Sequence, residues 1–296
     1  MSSLEAIVAT IKAINPMQAH KLGQFLLNQD PQFFATAEFY LKKYQSYLRT
    51  QNRDLEFAVS CYLNMIEEMK FEHVQFLKTG CYRHSSFEEV ARAIYFNKEV
   101  TSEQMCGLML SQFLWRHHYA MFSFFRAQLP NYAPRVRSCL EIGPGHGLFL
   151  YEALQAFPMA KILAVDVSAQ SVEIADFITE NKVDFIVDDI FNFRDTSKFS
   201  FITMGEVLEH VERPQELLTK IRSLLCPHGV LFITVPANAP TVDHVYLFHN
   251  ADEIRTMIEE AGFKIELERI SFAEEVSPAR AQRLKVTLMY GAFCTH

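Results

Sequence analysis

The stretch CLEIGPGHGLFLYEAL, residues 139–154, runs from a short apolar segment through a loop of glycines into a second apolar segment. The first segment predicts a buried strand, and the apolar spacing that follows predicts a helix over residues 147–157. In an open α/β sheet, a loop between a strand and the following helix lies at the carboxyl end of the strand, where such sheets bind ligands. The loop 143–147 is therefore the candidate binding site.

Seven segments from Arg135 onward have the composition of strands, and most of them alternate with segments of helical periodicity. This alternation is typical of a parallel sheet covered by helices on both faces. The last two predicted strands follow each other directly, so we expect a hairpin that inserts one antiparallel strand. The predicted strands are 136–143, 161–167, 183–189, 199–206, 229–236, 263–272 and 283–293, and the predicted helices between them are 147–157, 168–180, 214–225 and 251–261.

The spacing of the glycines narrows the class of ligand. Gly143, Gly145 and Gly147 form G-x-G-x-G, whereas dinucleotide-binding folds carry G-x-G-x-x-G and phosphate-binding P-loops continue into G-K-[ST]. Glu141 lies two residues before the first glycine, and its negative charge is a poor neighbour for a pyrophosphate. The pattern disfavours an NAD-binding oxidoreductase and favours a cationic ligand with an ammonium or sulfonium group.

Acidic residues also end the second and third predicted strands. Asp166 lies about 20 residues beyond the glycine loop, a position from which a carboxylate can accept hydrogen bonds from ribose hydroxyls. Asp188 or Asp189 could accept a hydrogen bond from an adenine amino group, and Ile190 could pack on the adenine ring. These positions together indicate a nucleoside ligand.

In order and spacing, these residues and the later segment GEVLEHV resemble the class I S-adenosylmethionine-dependent methyltransferases, in particular the branch with the ubiquinone-biosynthesis O-methyltransferases. The resemblance covers about residues 135–296. It implies a Rossmann-like seven-stranded sheet with the last strand antiparallel, S-adenosylmethionine as cofactor, and an enzyme that methylates a small molecule, with oxygen favoured as the acceptor atom. The cofactor-binding residues that it implies are Glu141, Gly143, Pro144, Gly145, Gly147, Asp166, Val167, Asp188, Asp189, Ile190, Gly205 and Glu206.

The segment MGEVLEHVERP, residues 204–214, follows the fourth predicted strand and carries the pattern E-x-x-E-H. If it is helical, Glu206 shares a face with Glu209 and His210. Carboxylates and imidazoles of this kind hold divalent cations. In small-RNA 3′-terminal 2′-O-methyltransferases a similar pattern with a later histidine binds a metal, and carrying that resemblance over adds His244. Without a metal, His210 or His244 could act as the general base.

Two other functions stay open at this point. One is a metal-assisted methyltransferase that acts on RNA 2′-hydroxyls or on catechol-type acceptors. The other is a non-catalytic partner that binds the cofactor and regulates another enzyme. The acids at the strand ends argue against a degenerate site, because a pocket without function need not retain them.

Residues 1–130 predict five to seven helices, the last over residues 102–128, and Pro130 and Pro134 mark a junction. We therefore expect a helical domain over 1–130, as a lid, a substrate-binding domain or a dimerisation domain, and a methyltransferase domain over 131–296. A homodimer is a competing use of the helical domain. We expect Arg116 to anchor an acidic acceptor group, within a set of candidate pocket residues: Trp115, Arg116, His117, His118 and Tyr119.

Composition excludes several classes of partner. The net charge of −7 over 296 residues, with no basic stripe that interleaves aromatic residues, disfavours a nucleic-acid substrate. The most apolar stretch, 105–129, is interrupted by charged residues and histidines and is a poor membrane span. The six cysteines form no C-x-x-C pair, and the first residues lack the basic and apolar regions of a signal peptide. We therefore expect a cytoplasmic enzyme without a membrane partner.

Overall fold

The C-terminal part of the chain forms one seven-stranded sheet in the computed structural model, which describes residues 1–194 and 198–296. The strand order is β3-β2-β1-β4-β5-β7-β6. The first five strands are parallel to one another, whereas β7 is antiparallel to both β5 and β6. The predicted sheet with an antiparallel last strand is confirmed. The strands are β1 Ser138–Ile142, β2 Lys161–Asp166, β3 Asp184–Val187, β4 Phe199–Gly205, β5 Leu225–Ala237, β6 Lys264–Phe272 and β7 Leu288–Thr295.

The helices that follow the strands cover both faces of the sheet, as the alternating pattern predicts. The prediction missed a short helix between the last two strands, so β7 begins later than residue 283. These helices are α8 Leu148–Ala156, α9 Ala169–Ile178, α10 Pro214–Leu224, α11 Ala251–Glu260 and α12 Pro278–Leu284.

Seven α-helices and one π-helical turn precede the sheet, in agreement with the helical character predicted for residues 1–130. Several of them begin at residues that the sequence marks, since Ser2, Asp30 and Asp54 each cap the first turn through the side chain. The helices are α1 Ser3–Ile14, α2 Pro16–Leu27, α3 Pro31–Thr50, α4 Leu55–Thr79, α5 Phe87–Val90, α6 Lys98–Leu114 and α7 Arg116–Tyr132, and the π-helical turn is Ala91–Tyr95.

The single helix predicted over residues 102–128 is wrong, because the chain breaks it at Trp115. This residue has extended backbone angles, φ −116° and ψ 127°, and separates α6 from α7. Its indole N–H donates to the hydroxyl of Tyr62 on α4 at 2.9 Å, which fixes the corner by a tertiary contact. Apolar residues continue on both sides of the break, so the periodicity carries no sign of it. Helix α7 also runs through Pro130 to Tyr132.

The helical part shares its hydrophobic core with the sheet part. Buried residues of α3, α4 and α6 pack with Leu148 and Tyr151 of α8 and with Ile174 of α9. On the other side, Phe125 of α7 lies 4.6 Å, between ring centroids, from Phe232 of β5. The proposed boundary at residue 130 therefore falls inside a helix that packs on the sheet, and the division into two domains stays a prediction. Among the described residues, no helix combines the length and the apolar composition that a membrane crossing requires.

The glycine loop brings α8 against α9 at a distance that only glycine permits. Gly147 has φ +79° and precedes the first residue of α8. A Cβ atom at this position would lie 2.9 Å from the Cα atom of Ala175 in α9. Any side chain here would both strain the backbone and push the two helices apart.

We expect Gly147→Ala to lower the free energy of unfolding by at least about 1–3 kcal/mol, the usual cost of a non-glycine residue in a strained left-handed conformation. Urea denaturation without cofactor measures the change. Gly23→Ala is the matched control, because Gly23 lies inside α2 and a Cβ there meets no atom within 4 Å. That control should gain about 0.5–1 kcal/mol from helix propensity. Equal stability of Gly147→Ala and the wild type would contradict the packing described above.

Candidate functional site

A cavity of about 800 Å³ lies at the carboxyl ends of the first four strands, between the sheet and the helical part. Its volume is in the range of sites that hold a cofactor together with a small ligand. Gly147 lies outside its lining, since it faces α9. The other predicted cofactor-binding residues all line it: Glu141, Gly143, Pro144, Gly145, Asp166, Val167, Asp188, Asp189, Ile190, Gly205 and Glu206.

The entrance to the glycine loop carries a buried carboxyl group with one oxygen that lacks a hydrogen-bond partner among the described residues. Glu141 is 2% exposed, and its Oε2 atom has no partner among the described residues. Burial raises the pKa of Glu141 well above its ordinary value. Gly143 has φ +65°, and a Cβ there would lie 2.6 Å from Cγ2 of Val207. Gly143 therefore leaves no room for a side chain, and the Oε2 atom beside it lacks a donor that a bound ligand can supply.

Asp166 at the end of β2 is held by the backbone of the next loop. Its Oδ1 atom accepts a hydrogen bond from the Ser168 N–H at 2.8 Å. Burial raises its pKa to about 6, although hydrogen bonds from the backbone of Ser168 and Gly145 act in the opposite direction. Asp189, after β3, accepts from the Phe191 N–H at 2.9 Å. Both carboxylates are thus oriented by the protein itself, as a preformed site requires.

The expectation that Glu206 shares a helical face with Glu209 and His210 is wrong. Only Leu208–His210 forms a short 3-10 turn, and Glu206 has a left-handed φ of +54°. The Glu206 N–H donates to the carbonyl of Thr234 at 2.9 Å, which extends the pairing of β4 with β5 and prevents a helix from starting there. The Oε2 atom of Glu206 instead lies 3.7 Å from Nε2 of His118. Burial, and then Asp243, raise the pKa of Glu206 to about 7.

The other three predicted metal ligands do converge. Glu209, His210 and His244 each offer one ligand atom, and these atoms lie within 4.8 Å of one another. Glu209 Oε1 is 3.7 Å from Nε2 of His210 and 3.9 Å from Nε2 of His244, too far for hydrogen bonds. Glu209 is 1% exposed, and neither carboxylate oxygen has a partner among the described residues. A carboxylate and two imidazoles in this arrangement can hold a divalent cation.

Burial controls the protonation of this cluster. It raises the pKa of Glu209 well above the ordinary value, and the carboxylate of Glu206 adds to the effect. Burial and then the neighbouring His210 lower the pKa of His244, so that its imidazole is neutral near pH 7. A neutral imidazole keeps a lone pair, which both a metal ligand and a general base need.

The helical part contributes some of the predicted pocket residues and not others. Trp115, His117 and His118 line the cavity. Arg116 and Tyr119 lie outside it, and the Arg116 guanidinium is 3.6 Å from the carboxylate of Glu275. The expected role of Arg116 as an anchor for the acceptor therefore has no support in the geometry.

The sequence analysis missed three residues that hold the histidine cluster. Tyr95, in the π-helical turn, and Gln104, in α6, both donate to the carboxylate of Asp243. Asp243 directly precedes His244, and this adjacency could have drawn attention to it. The contact between Tyr95 and His210 could not be predicted from a local sequence pattern, because 115 residues separate them.

The sheet order and the cavity at the carboxyl edge of the strands define a Rossmann-like protein. Within that class, the chain belongs to the methyltransferase domain family, whose family model matches residues 114–268. The match begins at the last residue of α6 and ends in β6, so it includes the glycine loop and the histidine cluster. This membership confirms the family resemblance that the sequence motifs indicate.

Two curated relatives are O-methyltransferases. The malonyl-[acyl-carrier protein] O-methyltransferase of Halalkalibacterium halodurans is 34% identical over 104 residues, which cover 33% of this chain and 38% of the relative. The mitochondrial ubiquinone biosynthesis O-methyltransferase of Schizosaccharomyces pombe is 30% identical over 112 residues, which cover 34% of this chain and 40% of the relative. The chain thus spans about two fifths of the length of these relatives.

Solved structures share the fold over a longer part of the chain. Human N-acetylserotonin methyltransferase in complex with SAM superposes with a TM-score of 0.56 at 14% identity, over 82% of this chain and 70% of that one. An O-methyltransferase family protein from Burkholderia thailandensis gives a TM-score of 0.53 at 14% identity, over 81% and 72%. At this identity the likeness shows the fold alone.

The buried carboxylate of Glu209 predicts a pH-dependent cost in stability. Because burial raises its folded-state pKa above the ordinary value of 4.5, its stabilising contribution is fully present below about pH 4.5 and is lost as the pH rises through the folded-state pKa. We expect Glu209→Gln, in the presence of chelator, to be more stable than the wild type by about 1–3 kcal/mol at neutral pH. Urea denaturation from pH 4.5 to pH 8 measures the difference.

Glu216→Gln serves as the control for this experiment, since the Glu216 side chain is 55% exposed on α10. Its stability difference from the wild type should vary little with pH. A Glu209→Gln protein that is less stable than the wild type at every pH would show that the carboxylate has a stabilising partner.

Proposed function

We propose that this chain is an S-adenosylmethionine-dependent methyltransferase that methylates an oxygen atom of a small molecule. The observation that carries the proposal is the Oε2 atom of Glu141, which has no hydrogen-bond partner among the described residues and lies beside Gly143, where a Cβ does not fit, in the same cavity as Asp166. A buried carboxyl oxygen without a donor suits the ammonium of an amino-acid moiety, whose positive charge would favour the ionised carboxylate. An acid at the end of β2 suits a ribose. The family and the names of the relatives agree with this chemistry.

The described residues fit the cofactor along its length. Glu141 and the backbone of the loop 143–147 would hold the methionine end. Asp166 would accept from the ribose hydroxyls, and Asp189 would accept from the adenine amino group, with Ile190 against the ring. When bound, the cofactor supplies a methyl group on a positively charged sulfur, which is already a good leaving group. The protein then contributes mainly alignment and the exclusion of water.

The helical part supports a small-molecule acceptor, because it covers the cavity. Trp115, His117 and Gln112 close one side. His117 and Gln112 are almost fully buried, and Nδ1 of His117 and Oε1 of Gln112 have no hydrogen-bond partner among the residues that the structure describes. We propose residues 1–130 as a substrate-binding lid domain on this ground. The names of the curated relatives, both O-methyltransferases, support oxygen as the acceptor atom.

Charges on the acceptor side of the cavity argue against a nucleic acid. Arg83 and Arg213 line it, but Arg83 pairs with Glu72 and Arg213 with Glu216. A polyanionic substrate would need unpaired cations along its path. The carboxylates that line this side are Glu68, Glu103, Glu206, Glu212 and Asp243.

A general base would assist the deprotonation of an acceptor hydroxyl. His210 lines the cavity, and so does His244, whose imidazole is neutral and buried. Either group has the lone pair that proton abstraction requires.

The free thiols of all six cysteines fit a reducing compartment, and we propose the cytoplasm.

A divalent metal at Glu209, His210 and His244 is the second candidate for assistance. The specific observation is the carboxylate of Glu209, which is buried without a hydrogen bond beside two imidazoles. Buried charges of this kind are usually paired or bound to a metal. A bound cation would lower the pKa of an acceptor hydroxyl and orient it.

The cofactor proposal is tested by thermal unfolding with S-adenosylhomocysteine. At about 100 times its dissociation constant, a ligand that binds only the folded state adds about 2.7 kcal/mol of stability, which raises the melting temperature by several degrees. We expect this rise with S-adenosylhomocysteine and none with NAD. Asp166→Ala should remove most of it, while Asp184→Ala, an exposed aspartate at the start of β3, should keep it. An unchanged rise in Asp166→Ala would place the ribose elsewhere.

The metal proposal is tested by isothermal titration of the chelator-treated protein with Mn²⁺. We expect one binding site, and we expect His244→Gln to weaken it at least about 10- to 100-fold, because the substitution removes a ligand. His249→Gln is the control, since this histidine is 61% exposed and bonds Glu253. In parallel, chelator should abolish turnover and added metal restore it. Turnover that is indifferent to the chelator excludes a catalytic metal.

A further inference from the structure

The nitrogen atom Nδ1 of His210 has two oxygen atoms within hydrogen-bond distance, and Oδ2 of Asp243 lies further away at 3.9 Å. The backbone carbonyl oxygen of Asp243 lies 2.9 Å from it. The hydroxyl oxygen of Tyr95 also lies 2.9 Å from it. The carbonyl can only accept a hydrogen bond. Whether Nδ1 must also donate to Tyr95 therefore depends on where the Tyr95 hydroxyl directs its own proton.

The Tyr95 hydroxyl donates its proton to the carboxylate of Asp243. The Tyr95 hydroxyl is 3.2 Å from Oδ2 of Asp243, and Gln104 Nε2 donates to the same oxygen at 2.6 Å. Thr241 donates to Oδ1 at 2.7 Å, so three side chains surround the carboxylate as donors. The Tyr95 hydroxyl carries a single proton, so it can donate to only one of its two neighbours, Asp243 or His210, at a time. A hydrogen bond to an anion is stronger than one to a neutral nitrogen.

It follows that both oxygen atoms beside Nδ1 are acceptors. If Nδ1 carried a lone pair, it would face the Asp243 carbonyl at 2.9 Å without a proton between them. The neutral imidazole of His210 therefore carries its proton on Nδ1. Its Nε2 atom then has the free lone pair, and this atom is the one that lies 3.7 Å from Glu209 Oε1.

We propose that Tyr95 is a positioning residue, which acts through Asp243 to hold His210 as the Nδ1–H tautomer with the Nε2 lone pair directed at the reaction site. The proposal rests on the proposed function, and it holds whether Nε2 binds a metal or removes a proton, because both roles need that lone pair. It also gives the helical part a chemical role beyond covering the cavity. Tyr95 ends a π-helical turn, an irregularity that is frequent at functional sites.

The matched pair of variants is Tyr95→Phe and Tyr40→Phe. Both remove one hydroxyl from a tyrosine of the helical part that bonds a residue of the sheet part. Tyr40 bonds Glu152 of α8 at 2.5 Å, and neither residue lines the cavity. Nitrogen-15 NMR of histidine-labelled protein, with His210→Gln to assign the signal, reads the tautomer without cofactor or turnover.

We expect the wild type and Tyr40→Phe to show His210 protonated at Nδ1, and Tyr95→Phe to show a mixture of tautomers. In a methyl-transfer assay, kcat of Tyr95→Phe should fall about 10- to 100-fold, the usual effect of losing an outer-shell partner. Its KM for S-adenosylmethionine should stay unchanged. Gln104→Met, which removes one donor to Asp243, should shift kcat and the tautomer in the same direction by less.

An Nε2–H tautomer in the wild type, or an unaltered His210 signal in Tyr95→Phe, overturns the proposal even if the protein is active. If Tyr95→Phe does not fold, the wild-type signal and Gln104→Met decide alone. A tautomer that shifts as expected, in a protein that shows no methyl transfer, supports the role of Tyr95 in holding His210 and refutes the proposed function instead.

Discussion

The close approach of α8 to α9 behind the glycine loop is the constraint on which the site depends. Gly147 allows it, because no Cβ fits against the backbone of Ala175. Gly143 allows a second close approach, between the loop and the side chain of Val207. These two contacts press the loop between a neighbouring helix and the segment after β4. At Gly143, the backbone at the carboxyl end of β1 carries no side chain, so a ligand can approach it closely.

The sheet edge that carries the glycine loop also carries buried polar groups that cost stability. Glu141 and Glu209 are both almost fully buried with oxygen atoms that lack hydrogen bonds. Such groups reduce stability unless something binds them, so a sequence selected for stability alone would not retain them. Their burial between well-packed strands and helices is what makes them sensitive to a ligand. The stability of the surrounding sheet offsets this local cost.

Sequence reasoning succeeded where the signal is local. The strands, the glycine loop and the acids after β1, β2 and β3 follow from short patterns whose order matches the sheet, and β7 was correctly expected to be antiparallel. It failed where tertiary contacts decide. The spacing E-x-x-E-H is compatible with a helix, but pairing of Glu206 with Thr234 ends a strand there. Trp115 breaks a periodic helix because Tyr62 holds its indole. Tyr95 has no local pattern that links it to Asp243, 148 residues away.

The helical part is attached to the sheet in two different ways, and the difference bears on how the cavity is reached. Helix α7 packs its aromatic residues on β5 and β7, so moving it would expose a large apolar area. The segment 80–97 buries Val90 and Ile94 and also contacts the sheet part through hydrogen bonds, such as Phe87 N–H to Glu212 at 2.7 Å and Ala239 N–H to the Tyr82 hydroxyl at 2.9 Å. Water can replace these bonds at little cost, whereas it cannot replace the apolar packing of α7. Tyr95 lies in the same segment, so an opening at 80–97 would also separate its hydroxyl from Nδ1 of His210.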